Sequence, residues 1–281
     1  MTSVTLAYSF TTVEDCEDAW NELVDGDVTS TLNSSNYKVG AGSASLAASA
    51  AVGNGDILAT EARASLDLSA LTHLAWWSYN AAAITAGDFQ MLIDEDANCA
   101  SPSETLSFFA CGAGEWRRHV VAFAGATSDR NAIISIGCKQ NAVIGDSYTL
   151  LLDDIQACLA KTYTVYSVHG VDDLDDLAYW PPHSKELLDG SLKEVISGFR
   201  RVITIDFGPI MTKADRLFLH NWAKASDKRL ITENDDIQVV LADPAGLSNT
   251  WLQDVSLFRA FTLRLFEKSI RTTNPTSWSY T

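Results

Sequence analysis

Leu74-Ala75-Trp76-Trp77-Ser78-Tyr79 is the stretch that decides the fold. It is too short and too aromatic to read as a helix, and too apolar throughout for a strand with one wet face. It fits a central strand covered on both sides. Neighbouring side chains on a strand point to opposite faces, so Trp76 and Trp77 divide between the core and the outer face.

Outward from this strand, the first half of the chain repeats one pattern: short apolar or alternating runs separated by Gly, Asn, Asp and Ser. The expected strands are Thr5–Ser9, Tyr37–Val39, Ala44–Ala48, Ile57–Ala62, His73–Tyr79, Phe89–Ile93, Leu106–Phe109, Trp116–Ala122, Ala132–Gly137 and Thr149–Ile155. No amphipathic helix interrupts them. Many short strands without intervening helices favour a β-sandwich or jelly roll over a parallel sheet.

Charge and composition narrow the function. Of 281 residues 47% are hydrophobic, enough for more than one core, and the net charge is −16. Such a chain repels the phosphate backbone, which excludes non-specific nucleic-acid binding as a role. Residues 1–160 hold 20 Asp/Glu against 6 Lys/Arg, while residues 161–281 hold 16 against 14, so the halves are different modules. The longest uncharged stretch, Leu68–Gly87, is broken by Thr72, His73, Ser78, Asn80 and Thr85 and does not read as a membrane span. The N-terminus carries no basic, apolar signal-peptide pattern. The five cysteines show no Cys-x-x-Cys spacing and read as buried thiols, with Cys99–Cys111 the one local bridge to test.

Four segments of the first half carry a resemblance: Tyr37–Leu46 with its Gly-Ser-x-Ser-Leu pattern, His73–Trp77, Gly114–Val120, and Leu150–Ile155 with Asp153-Asp154. In this order they resemble carbohydrate-binding-module jelly rolls. The resemblance implies a structural Ca²⁺ held by Glu14, Asp15 and Asp154; the plainer reading of these residues is surface acids of an acidic domain. Asp94-Glu95-Asp96-Ala97-Asn98 begins like a calcium loop, but Cys99 stands where Gly is needed, so it reads as a hairpin turn. The resemblance also implies an aromatic platform for a host-surface glycan. The candidate rings are Trp20, Trp77 and Tyr79, with Trp116 expected in the core.

The second half reads differently. Residues 161–183, with Asp172-Asp173-Leu174-Asp175-Asp176 and Pro181-Pro182, are expected to form a linker. Residues 184–271 then read as a smaller α+β domain. Val202–Phe207, Ile237–Leu241 and Phe261–Glu267 are its strands, and one main helix begins near Thr212, with Leu217, Phe218, Trp222 and Ala225 as its apolar stripe. Residues 272–281 read as a tail. Gly198–Asp206, the helix and Phe261–Glu267 loosely resemble bacteriophage tail and baseplate proteins. The resemblance implies a virion location, assembly in the host cytoplasm, and partners that are copies of itself and other virion proteins. Arg264, Glu267, Trp278 and Tyr280 are the expected assembly residues.

The sequence contains no nucleophile elbow, phosphate loop, dinucleotide turn or His-Glu-x-x-His helix. His73 and His119 read as satisfied structural histidines. The expected function is therefore a non-enzymatic virion structural protein with an outward jelly roll. Its alternatives are a carbohydrate-binding protein and a capsid decoration protein.

Overall fold

The computed structural model describes residues 2–171, 183–186, 192–195, 202–207, 213–232, 236–241 and 261–267. The chain divides into two compact units, one of Ala7–Ala160 with Ile231–Asp235, the other of Met1–Leu6, Lys161–Leu230 and Asp236–Thr281. The architecture is mainly β. The first strands are β1 (Thr2–Glu14), β2 (Leu23–Val24), β3 (Val28–Asn33), β4 (Ser43–Ala48), β5 (Ile57–Leu66) and β6 (His73–Asn80). They are followed by β7 (Phe89–Asp94), β8 (Glu104–Ser107), β9 (Glu115–Ala122), β10 (Ile133–Gln140) and β11 (Tyr148–Val171). Next come β12 (His183–Glu186), β13 (Leu192–Val195) and β14 (Val202–Phe207), then helix α1 (Lys213–Lys224), β15 (Arg229–Ile231), β16 (Asp236–Leu241) and β17 (Phe261–Glu267).

The larger unit is a jelly-roll-like β-sandwich. One antiparallel sheet runs β3–β4–β11–β6–β9 and the other β2–β5–β10–β7–β8. Alternate residues of each strand meet between the sheets. Leu46, Leu74, Trp76, Leu150 and Leu152 come from the first sheet, and Leu58, Met91, Ile93, Leu106 and Ile136 from the second. Each such side chain contributes about 1.5–3 kcal/mol by leaving water. Trp76 is the core member of the tryptophan pair. Its ring stacks on His119 at 4.9 Å and tilts onto Phe108 at 5.1 Å.

Two expectations for this unit fail for local reasons. Tyr37–Val39 is not a strand, because the Asn33 side chain caps Ser35 and Asn36 in a turn and Gly40 takes φ +71°. The strand of this region is instead β3, whose polar sequence hides it. The Cys99–Cys111 bridge does not form: all five cysteines are buried free thiols. Cys99 meets the Ser135 hydroxyl at 3.3 Å, and the Cys111 thiol donates to the Glu115 carbonyl. His119 is fully satisfied, accepting the Phe109 N–H at Nδ1 and bonding Ser78 Oγ through Nε2 at 2.8 Å. Burial, with Arg117 and Arg118 nearby, holds it neutral.

In the smaller unit β14 pairs with β17, β17 with β16, and residues 165–171 of β11 with β14, all antiparallel. Residues 161–171, expected as linker, are therefore strand; Thr, Tyr and Val in alternation suit a pleated surface better than a linker. Asp172–Pro182 and the tail with Trp278 and Tyr280 lie outside the described residues. Ile203, Ile205, Val239 and Leu265 are buried. Helix α1 carries Asp215 in its first turn and Lys224 in its last, complementing the helix dipole. Asp215 pairs with Lys161, and Trp222 donates to the Arg229 carbonyl. Trp222 of the expected stripe is buried and Phe218 and Ala225 half-buried, whereas Leu217 is exposed and Leu219 is buried in its place.

Candidate functional site

The outer face of the β3–β4–β11–β6–β9 sheet carries Trp77 and Tyr79 of the expected aromatic residues, and register determines which rings meet. Ala75, Trp77 and Tyr79 alternate onto this face from β6. One end is closed: Ala75, Cys158 and Val120 pack with Ala7 and Phe10 of β1. At the other end lies the cross-strand row Thr31–Ser45–Leu151–Tyr79–Trp116. Tyr79 and Trp116 are directly opposed, half-buried, with ring centres 5.5 Å apart and planes tilted 43°. The Trp116 indole N–H donates to Asn36 Oδ1 at 2.9 Å, which fixes its plane. Trp116 is thus a surface ring rather than the core residue expected. Nothing local announces this, because it follows from the β6–β9 register.

Trp77 occupies the same face, two residues from Tyr79, but only 2% of it is exposed. Lys38, in residues 34–42, lies over it. The Lys38 ammonium sits 4.4 Å above the ring and the Arg118 guanidinium 5.5 Å from it. The third candidate, Trp20, is fully buried within the core between the sheets and offers no ring to a ligand. Of the three expected rings only Tyr79 is accessible, and its partner is one the sequence assigned elsewhere.

The expected calcium ligands are drawn to other partners. Glu14 accepts the Cys16 N–H with one oxygen and pairs with Arg63 at 2.9 Å through the other. Asp154 pairs with Arg118 at 3.1 Å, and the Asp154 carbonyl accepts the same guanidinium at 2.7 Å. Asp15 accepts the Glu17 N–H. Oxygens committed to arginines do not fit a hard dication. Among the described residues no group of three or more His, Cys, Asp or Glu side chains is placed to hold a metal ion.

The neighbouring Asp153 has a distinct role. It lies where β11 slips register against β6, followed by Asp154 at φ +45°. Its Oδ2 accepts the Lys38 and Val39 N–H groups at 2.6 and 2.9 Å, tying residues 34–42 to the sheet. Burial pushes its carboxyl up to about 6, with Asp154 adding to the rise and the two amide donors opposing it. Burial also raises the Cys16 thiol, and the surrounding Glu14, Asp153, Asp15 and Asp154 raise it further.

No family model matches this chain, and no curated protein matches it. Among solved structures it is similar to the family 11 carbohydrate-binding module of the cellulosomal cellulase Lic26A-Cel5E of Clostridium thermocellum. The two are 14% identical, over 54% of this chain and 95% of that one, with a TM-score of 0.36. The CBM22-1 xylan-binding domain of Paenibacillus barcinonensis Xyn10C is 13% identical over 54% of this chain and 94% of its own, with a TM-score of 0.32. A family 30 carbohydrate-binding module is 10% identical over 62% and 97%, with a TM-score of 0.37.

Proposed function

We propose that this chain is a non-catalytic structural protein whose sandwich unit contacts carbohydrate through Tyr79 and Trp116. One observation carries the reading: two half-buried rings stand 5.5 Å apart on the outer face of a sheet, and the Trp116 ring is held in place by Asn36. A pyranose with equatorial hydroxyls presents a flat C–H face that stacks on such rings, while Asn36 and Lys38 offer polar partners to its edges. The test is an oligosaccharide array probed with the full chain, followed by titration with soluble mixed-linkage β-glucan and with xylan. Binding is expected, and Tyr79→Ala and Trp116→Ala are each expected to weaken it by about ten- to a hundredfold. An array without a hit, or affinity that survives both substitutions, overturns the reading.

The finer reading places the protein in a tailed-phage particle, in the tail or baseplate, with capsid decoration as a variant. What supports it is the resemblance carried by Gly198–Asp206 and Phe261–Glu267. Their strands β14 and β17 are neighbours, in register from Val202↔Phe266 to Phe207↔Phe261. In this reading β17, with Arg264 and Glu267, and the tail residues Trp278 and Tyr280 join copies of the chain and other virion proteins.

A further inference from the structure

We propose that residues 34–42 form a strap that lies closed over Trp77 and opens by local unfolding, turning a two-ring surface into a three-ring one. The use of the third ring by a ligand rests on the carbohydrate reading above; the opening itself does not.

The placement of Trp77 is the first observation. Side chains at i and i+2 of a strand share a face about 7 Å apart, so Trp77 continues the line that Tyr79 begins. Trp77 faces away from the core between the sheets, yet is 2% exposed. It is capped by the Lys38 ammonium, on a side chain that is itself exposed, and by Arg118. Of the two, Lys38 belongs to the strap, whereas Arg118 stands opposite Trp77 on β9, paired with Asp154, and stays on one side of the ring when the strap lifts.

The way the strap is held is the second observation. Lys38 and Val39 donate to Asp153 Oδ2, Ala41 donates to Glu17 Oε1 at 2.8 Å, and Asn36 accepts the Trp116 indole and the Ser43 hydroxyl. Each tie runs through a side chain rather than a strand ladder. None of residues 34–42 belongs to the core cluster, and Tyr37 and Val39 are 42% and 46% exposed. Little buried apolar surface and no strand-ladder hydrogen bonds mark a segment at the low end of local stability, although its ties to Asp153 are themselves part-buried. Its two ends suit a hinge: the Asn33 side chain caps Ser35 and Asn36, and Gly40 takes φ +71°.

The experiment is residue-resolved amide exchange on the full chain, with hydroxyl-radical labelling of Trp77. The Lys38, Val39 and Ala41 amides are expected to exchange at least about tenfold faster than those of Leu150–Leu152, at rates insensitive to low urea. Gly40→Ala places a Cβ against the Glu17 carboxylate at a backbone angle that disfavours it. It is expected to speed the strap amides and raise Trp77 labelling several-fold while the Leu150–Leu152 amides hold their rates. Strap amides that exchange only with global unfolding overturn the proposal, as does Trp77 labelling unchanged by Gly40→Ala. Should Gly40→Ala fail to fold, the wild-type exchange rates decide alone. A chain that opens its strap yet binds nothing on the array supports the strap and removes only the carbohydrate reading.

Discussion

At the scale of single residues, Asp153 couples the site to pH. Its folded carboxyl titrates near 6 against an ordinary 3.8, so folding favours the neutral acid. The stability this contributes is fully present below about 3.8 and is lost as pH rises through about 6; the difference corresponds to at most about 3 kcal/mol. Asp153→Asn keeps a carbonyl oxygen for the Lys38 and Val39 amides and cannot ionise. It is expected to melt higher than wild type at pH 7, with the gap closing towards pH 4; melting curves that stay parallel over this range refute the assignment. Burial raises Glu14 and Glu61 as well, so the difference between the two proteins, not the wild-type slope, carries the information. Some residue roles were legible in the sequence. Trp76 and Trp77 on adjacent strand positions had to face opposite ways, and they do. Trp20 lay outside any strand pattern, so nothing marked it as core. The roles of Asp153 and Lys38 depend on a loop folding back over a sheet, which spacing does not encode.

At the scale of elements, period-2 alternation located most strands because the two sheets bury one face each. The misses have a common cause. Val28-Thr29-Ser30-Thr31-Leu32-Asn33 forms the edge strand β3 with few apolar residues, since its outer side faces water. Tyr37 and Val39 imitate a strand while lying in the strap. Strand β10, central in the second sheet, supplies a direct test of how closely the side of that sheet away from the core is packed, since Ile136 and Cys138 take the core side. A Cβ on Gly137 would stand 2.9 Å from the Thr60 methyl and 3.1 Å from the Cys99 sulfur. Gly→Ala commonly stabilises a strand by restricting the unfolded chain, but overpacking reverses the sign here. Gly137→Ala is expected to cost about 1–3 kcal/mol in urea unfolding, and an unchanged or raised midpoint would show that Thr60 and the 97–99 turn yield.

At the scale of the whole molecule, the charge is concentrated in residues 1–160, whereas residues 161–281 are close to neutral, with 16 acidic against 14 basic side chains. Like-charge repulsion discourages self-association through the former, so the virion reading proposed above assigns contacts between copies to the latter. Sedimentation of the full chain at high concentration is expected to show a multi-copy assembly that dissociates on Glu267→Lys or on removal of residues 272–281. A lone monomer under these conditions would sink the virion reading. The five cysteines add a consequence of their own. All lie between Cys16 and Cys158, within the sandwich unit, and all are buried as free thiols. The sandwich is thus held together without a disulfide among these five residues. A thiol-alkylating reagent can tag it only as it comes apart, which gives the protein an internal clock for the opening of that unit.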